Sequence, residues 1–342
     1  MMNDIKLDWD DIAIVPQIIS EIYSRSEVNP FLDGKLPLFT APMDTVIDEN
    51  NISEFESNNI NICLPRNIKY DVVKNDDYFY SYGLDEIIEM FNSDATFPKK
   101  VLIDIANGNM KKLWDISKSI KEKFGSNVEL MVGNIANPET YRSYCEIGVD
   151  WIRVGIGGGS ACTTSANVSI HYPMASLIRE CKDLSYGVDN PTKIIADGGF
   201  KNFSDIIKAL ALGADAVMLG GIFNKCLESC GETFMKDSDN QFCPVTMDRA
   251  RMSFLAGGNV YKYYRGMSTK EVQKSWNKEV LKTGEGISKY NKVESTLPGW
   301  CENFTDYLKS AMSYTNCRTL EEYCGEVQWI QISDNAFKRF HK

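Results

Sequence analysis

At 342 residues, 43% hydrophobic and 25% charged, the chain has an ordinary globular composition and room for one large domain or two modest ones. Its net charge is −10 and its Lys and Arg are scattered, which argues against a nucleic-acid partner; no apolar run reaches the roughly 20 residues needed to span a bilayer. The opening MMNDIKLDWDD turns acidic early and lacks the apolar stretch of a secretory signal, so a soluble cytoplasmic protein is the expectation.

Taken in chain order, short runs rich in β-branched and aromatic residues alternate with amphipathic stretches, the pattern of βα units around a parallel sheet. Eight runs read as strands: LPLFTAP (36–42), INICL (60–64), FYSYG (79–83), KVLIDIA (100–106), VELMVGN (128–134), WIRVGI (151–156), KIIADGG (193–199) and AVMLGGI (216–222). Helical segments fall between most of them. NMKKLWDISKSIKEKF places Met110, Leu113, Ile116 and Ile120 on one face, and NFSDIIKALALGA reads as a helix capped by Asn202 or Ser204 and closed by Gly213.

Eight such units predict an α/β fold, a (β/α)8 TIM barrel, with a doubly wound sheet as the competitor. The polar and glycine residues decide between them. Met43-Asp44, Arg66-Asn67, Gly83, Asp104 with Asn107-Gly108, Gly133-Asn134, the loop from Gly155, Asp197-Gly198-Gly199 and Gly220-Gly221 all fall at or just past strand C-termini. Barrel enzymes keep their chemistry on that face, whereas a doubly wound sheet concentrates it at one switch point. Beyond the eighth strand the repeat is lost, and residues 223–300 read as long loops and an active-site flap at the C-terminal face. With no solenoid period and no linker, 1–342 reads as a single barrel domain.

The ten cysteines are irregularly spaced, and only Cys226 and Cys230 are near neighbours, with no second pair to complete a zinc site. Most are therefore expected to be reduced, buried thiols. Cys162 stands apart, within GIGGGSACTTS (155–165), which directly follows a strand. That loop has three readings: a phosphate cradle, a nucleophile on a turn, or a slack linker. It fails as a dinucleotide fingerprint, because the sixth place counted from Gly155 is Ser160. As a nucleophile, Cys162 has small neighbours and the Thr163 and Thr164 hydroxyls close in sequence; of the two histidines, His171 and His341, only His171 is placed for a Cys–His dyad. The glycines ending IADGG and VMLGG let a phosphate approach the backbone, or simply serve tight turns at positive φ. Asp197 is placed to accept from ribose hydroxyls, which points to a nucleoside monophosphate.

In order along the chain, LDWDDIAIVP, SRSEV (24–28), PMDTV (42–46), DIANG (104–108), GNIANPE (133–139), GIGGGSACTT, IADGG, ADAVMLGG (214–221), YRGMS (264–268) and EG (285–286) resemble the IMP dehydrogenase and GMP reductase superfamily almost end to end. The resemblance implies chemistry at C2 of a purine nucleotide, through a covalent bond to a loop cysteine and hydride exchange with a nicotinamide cofactor. It makes Cys162 the nucleophile. Ser160, Gly198, Gly199, Gly220, Gly221 and Tyr264 would hold the 5′-phosphate, Asp197 the ribose, and Met267 with Ser268 the purine edge. Asp104, Asn107 and Gly108 would lie toward the nicotinamide, and the carbonyls of Gly157, Gly159 and Cys162 would hold a monovalent cation, K+. The resemblance also implies a homo-oligomer, a tetramer or octamer.

Within that superfamily the residues resemble a reductase using NADPH more than a dehydrogenase. Dehydrogenases carry a water-activating Arg-Tyr dyad on the flap, where Gln273-Lys274 stand here, while the reductases' threonine and glutamate correspond to Thr164 and Glu285. LPRNIKYDVVKNDDYFYSYG leaves no room for a CBS insertion. Departures lie in TTSANVSIHYPMAS, where Ser165 replaces a cationic residue and His171-Tyr172-Pro173 replaces a glycine run, in a dehydrogenase-like Arg265, and in a lengthened segment 237–258. The expectation is a GMP reductase. A dehydrogenase lacking the CBS pair, an enzyme of a modified or deoxy purine nucleotide, and a non-catalytic nucleotide-binding barrel are the alternatives.

Overall fold

Each of the eight expected runs becomes a strand of one parallel sheet. The computed structural model describes residues 5–93, 96–269, 272 and 283–340. After a short β1 (Ile12–Ile14) come β2 (Leu38–Thr40), β3 (Cys63–Leu64), β4 (Phe79–Tyr82), β5 (Lys100–Asp104), β6 (Glu129–Ile135), β7 (Trp151–Val154), β8 (Lys193–Asp197) and β9 (Ala216–Leu219). Their spatial order is β2-β9-β8-β7-β6-β5-β4-β3. The Thr40 amide donates to the Asn61 carbonyl at 3.1 Å and the Asn61 amide to the Leu38 carbonyl at 2.9 Å, which brings the two edges together into a barrel. The strands are shorter than the sequence runs because several of those runs continue into loop or helix-cap glycines, as at Gly83, Gly155, Gly198 and Gly220.

Strand alternation divides the side chains between two cores. Outward residues such as Ile103, Val132, Ile152 and Val217 pack under the helices. Inward residues fill the barrel: Phe39, Phe79, Leu102, Met131, Trp151, Ile195 and Met218 form one buried cluster. The Phe39 ring meets Phe79 and Trp151 edge-on, with centroids 5.9 and 5.3 Å away. At the N-terminal end this plug rests on polar groups, where Trp151 Nε1 donates to Glu129 Oε1 at 2.6 Å and Lys100 pairs with Glu129 at 3.1 Å. The interior is a packed plug, so ligand chemistry is confined to its two ends.

The two helices read from periodicity are present. Lys111–Phe124 buries Leu113, Ile116 and Ile120. Phe203–Leu212 starts where the Asn202 side chain accepts the Asp205 amide and ends at Gly213, whose φ of +117° suits glycine.

Two features were not legible as strands. β1 pairs antiparallel with β14 (Trp329–Gln331), tying the two ends of the chain. The stretch read as loops holds β10 (Thr233–Lys236), β11 (Phe242–Pro244), β12 (Tyr261–Arg265) and β13 (Ser288–Lys292), an antiparallel sheet in the order β11-β10-β12-β13. The lengthened segment 237–258 is the β10–β11 hairpin with the helix Met247–Leu255, and it helps build a small core of Leu227, Ala250, Val260 and Val293. Among the described residues no helix is long and apolar enough to cross a membrane.

Candidate active site

The loop after β7 is held by a strap from the antiparallel sheet. The Thr163 amide donates to the Glu285 carbonyl at 2.9 Å and the Ile287 amide to the Ala161 carbonyl at 3.0 Å, so residues 161–163 pair with 285–287 like two short strands. A β-carbon on Gly266 would lie 2.6 Å from the Ala161 carbonyl, so only glycine lets the turn leading to Met267 and Ser268 approach this loop. Both residues are half-buried beside it.

This pairing aligns three side chains. Cys162 Sγ donates to Thr164 Oγ1 at 3.2 Å, and Thr164 Oγ1 donates to Glu285 Oε2 at 2.5 Å. All three are half-buried. A thiol, a hydroxyl and a carboxylate in series form a path for one proton. His171, the partner a Cys–His dyad required, is exposed and shares no hydrogen bond with Cys162 among the described residues. The remaining cysteines are free as well; Cys63, Cys145, Cys181, Cys226, Cys301 and Cys317 are buried, Cys230 and Cys324 partly so, and Cys243 exposed. Burial pushes the Cys63 thiol up to about 12, which leaves it inert.

Next to the cysteine the glycine clusters converge. A β-carbon on Gly221 would stand 2.7 Å from Ser160 Oγ and 3.6 Å from the Tyr264 hydroxyl; one on Gly220 would stand 3.1 Å from that hydroxyl and 2.9 Å from Met43 Sδ. Gly198 and Gly199 adopt φ of +95° and +82°, and a β-carbon on Gly198 would approach the Gly159 amide nitrogen to 3.1 Å. Ser160, Gly220, Gly221 and Tyr264 therefore cluster at the end of β9, while Gly198 closes on the neighbouring Gly158 and Gly159 at the end of β8 and Gly199 faces Trp9 and Met174. Burial raises the Tyr264 hydroxyl to about 12, so it stays a neutral donor at physiological pH.

The mouth of the barrel is dominated by a residue the sequence reading passed over. Arg153, from β7, is buried and donates from Nη1 to Asp104 Oδ1 at 2.6 Å, and from Nη2 and Nε to Asp197 Oδ2 at 2.8 and 3.0 Å. Arg66 takes the other side of Asp104, with Nε 3.3 Å from Oδ2. Asn134 Nδ2 donates to Asp197 Oδ2 at 2.7 Å. Burial alone would raise the Asp104 carboxyl, but Arg153 and Arg66 outweigh it and hold it below the usual carboxylate range. Arg153 likewise overcomes burial, through Asp197 and Asp104, and keeps its proton more firmly than usual. Asp197 thus has Oδ2 engaged by Arg153 and Asn134, while both Asp104 oxygens face guanidinium groups.

The residues expected near a nicotinamide separate. Asn107 is exposed, its side chain accepting from the Asn109 amide at 3.1 Å. Gly108 is buried against β6, its amide 2.7 Å from the Asn134 carbonyl, and a β-carbon there would clash with that carbonyl at 2.6 Å. Of the three carbonyls expected to hold a cation, Gly157 accepts from Ser165 Oγ at 2.8 Å and Gly159 from the Cys162 amide at 2.8 Å. Each retains a second lone pair, so the donor set fits a hard monovalent ion in kind.

Of the departures, Arg265 pairs through Nη2 with Asp44 Oδ2 at 2.6 Å and fastens β12 to the PMDTV loop. The Tyr172 hydroxyl donates to Glu180 at 2.7 Å. The flap positions Gln273 and Lys274 lie outside the described residues.

Comparison with known proteins agrees with this geometry. The model of the IMP dehydrogenase / GMP reductase domain matches residues 96–244. The chain is 31% identical over 253 residues to the inosine-5′-monophosphate dehydrogenase of Chlorobaculum parvum, covering 70% of this chain but 47% of that protein, so it spans about half that relative's length. It is 25% identical to the GMP reductase of Onchocerca volvulus over 99% of this chain and 94% of that one. With human GMP reductase 1 the identity is 29% over 96% of each. Residues 96–244 thus belong to the IMP dehydrogenase / GMP reductase domain family, and the likeness to GMP reductases extends over nearly the whole chain.

Proposed function

We propose that this protein is a purine-nucleotide oxidoreductase that converts GMP to IMP by reductive deamination. The observation that carries this reading is the series Cys162–Thr164–Glu285, whose donors all point from sulfur toward the carboxylate. Similarity to GMP reductases along nearly the full chain supports it.

In this reading the thiol proton passes through Thr164 to Glu285 as Cys162 attacks C2 of GMP, forming an S–C2 bond. Glu285 returns the proton through Thr164 to the exocyclic nitrogen; the C2–N bond breaks and ammonia leaves. Asp197 faces the ribose with its remaining oxygen, and the cluster of Ser160, Gly220, Gly221 and Tyr264 takes the 5′-phosphate. The strap of residues 285–287 over the cysteine limits the access of water to the thioimidate. Asn107 would lie toward NADPH, which when bound would supply the hydride for C2. Release of the thiolate regenerates Cys162, and the sum is GMP, NADPH and two protons to IMP, ammonium and NADP+. The Gly157, Gly159 and Cys162 carbonyls would hold K+, which keeps the loop's shape.

Incubation with GMP and NADPH, following cofactor absorbance and ammonia, tests the proposal. Oxidation of NADPH with one ammonia released per cofactor supports it; NADH formation from IMP and NAD+ with no reaction of GMP supports a dehydrogenase instead.

A further inference from the structure

The groups around Gly220 and Gly221 are neutral: the glycine backbone, the Ser160 and Tyr264 hydroxyls and the Met43 sulfur. A nucleotide phosphate would bring close to two negative charges into a protein of net charge −10. A side chain suited to that charge stands beside Ser160 and Tyr264: Lys289, on β13. The register of β12 and β13 sets Lys289 directly opposite Tyr264, and directly opposed residues project from the same face of an antiparallel pair. Lys289 Nζ accordingly lies 5.7 Å from the centre of the Tyr264 ring and donates to the Ser160 carbonyl at 3.1 Å.

Lys289 differs from its neighbour. Lys225 is paired with Glu294 at 2.9 Å, whereas Lys289 has no carboxylate partner among the described residues. Partial burial and then the Lys225 charge both weaken its hold on its proton, and an anion beside it would offset both effects.

We propose that Lys289 is a substrate-binding residue that supplies the charge for the 5′-phosphate, swinging its ammonium from the Ser160 carbonyl to a phosphate oxygen. The inference rests on the reading that this cluster takes the phosphate of a nucleoside monophosphate. It makes affinity for the nucleotide depend on ionic strength even though the surrounding donors are neutral.

The test measures GMP binding by calorimetry in the intact wild-type protein, Lys289→Met and Lys289→Arg, at low and high salt. Alkylation of the Cys162 peptide by iodoacetamide without nucleotide is followed in parallel. The expected result is about tenfold weaker GMP binding in Lys289→Met with a flattened salt dependence, and recovery of most of the loss in Lys289→Arg. Cys162 alkylation should stay within about twofold, because Ser160 is exposed and water can take the place of the ammonium at its carbonyl. Unchanged GMP affinity in Lys289→Met, or weakened affinity with the wild-type salt slope, would overturn the proposal. If the wild type binds GMP but turns nothing over, the reductase reading fails while the Lys289 comparison still decides. If the wild type binds no nucleoside monophosphate, both fall.

Discussion

Thr164 Oγ1 donates to Glu285 Oε2 at 2.5 Å across 121 residues of sequence, and the same hydroxyl accepts from Cys162 Sγ at 3.2 Å. One hydroxyl thereby joins the nucleophile to a carboxylate that β-strand-like pairing of two distant loops brings beside it. Thr164→Val keeps the shape and removes the relay. Its kcat is expected to fall at least about 100-fold while GMP binding changes little, and Glu285→Gln should behave similarly. Steady-state kinetics alongside calorimetry check this; a kcat within a few-fold of wild type in Thr164→Val would remove the relay from the mechanism.

Arg153 holds two carboxylates at the barrel mouth, and Arg153→Met would leave Asp104 and Asp197 without their main counter-charge. The expected cost is about 3–5 kcal/mol at pH 7, read by urea unfolding. Its pH dependence has a definite sign. In the wild type the Asp104 carboxyl lies below its unfolded value, so its contribution is present above that value and is lost as pH falls through the folded one. In the variant, burial without Arg153 raises the Asp104 carboxyl, so the penalty is greatest at neutral pH and relaxes as that carboxyl protonates. The gap between the two proteins should narrow as pH approaches about 4. A gap that is constant from pH 7 to pH 4 would contradict this account of the triad.

Gly221→Ala crowds the cluster of Ser160 and Tyr264. Its β-carbon would stand 2.7 Å from Ser160 Oγ, in the space the phosphate would need. An increase of at least about tenfold in the Kd for GMP is expected. Tyr264→Phe removes a hydroxyl whose contacts are the weak sulfur acceptor of Met43 at 3.6 Å and the exposed Ser160, so its melting temperature should move little while GMP binding weakens about tenfold. Equal losses of stability and affinity in Tyr264→Phe would make the hydroxyl structural.

The barrel was legible because its strands are buried on both faces, which compresses them into short apolar runs such as KVLID and AVML. Strand ends were blurred where runs such as AVMLGGI pass straight into glycine turns. Cys162 and Thr164 stand out within their own loop, whereas Glu285 is found only through motif order, since nothing in sequence joins it to a threonine 121 residues away. Arg153 was missed although WIRV carried the signal: a charge at an inward position of a strand buried on both faces must find partners. β10 to β13 stayed hidden because they are short and half-exposed, without the apolar density of the barrel strands. Lys289 was invisible for a related reason, because only the β12–β13 register brings it to Tyr264.

The most direct test of the central claim is the reaction itself with the wild type and Cys162→Ala. The wild type should oxidise NADPH only when GMP is present, releasing one ammonia and forming one IMP per cofactor consumed, and Cys162→Ala should be inactive while still binding GMP. Absence of NADPH oxidation by the wild type with GMP, or full activity in Cys162→Ala, would contradict it.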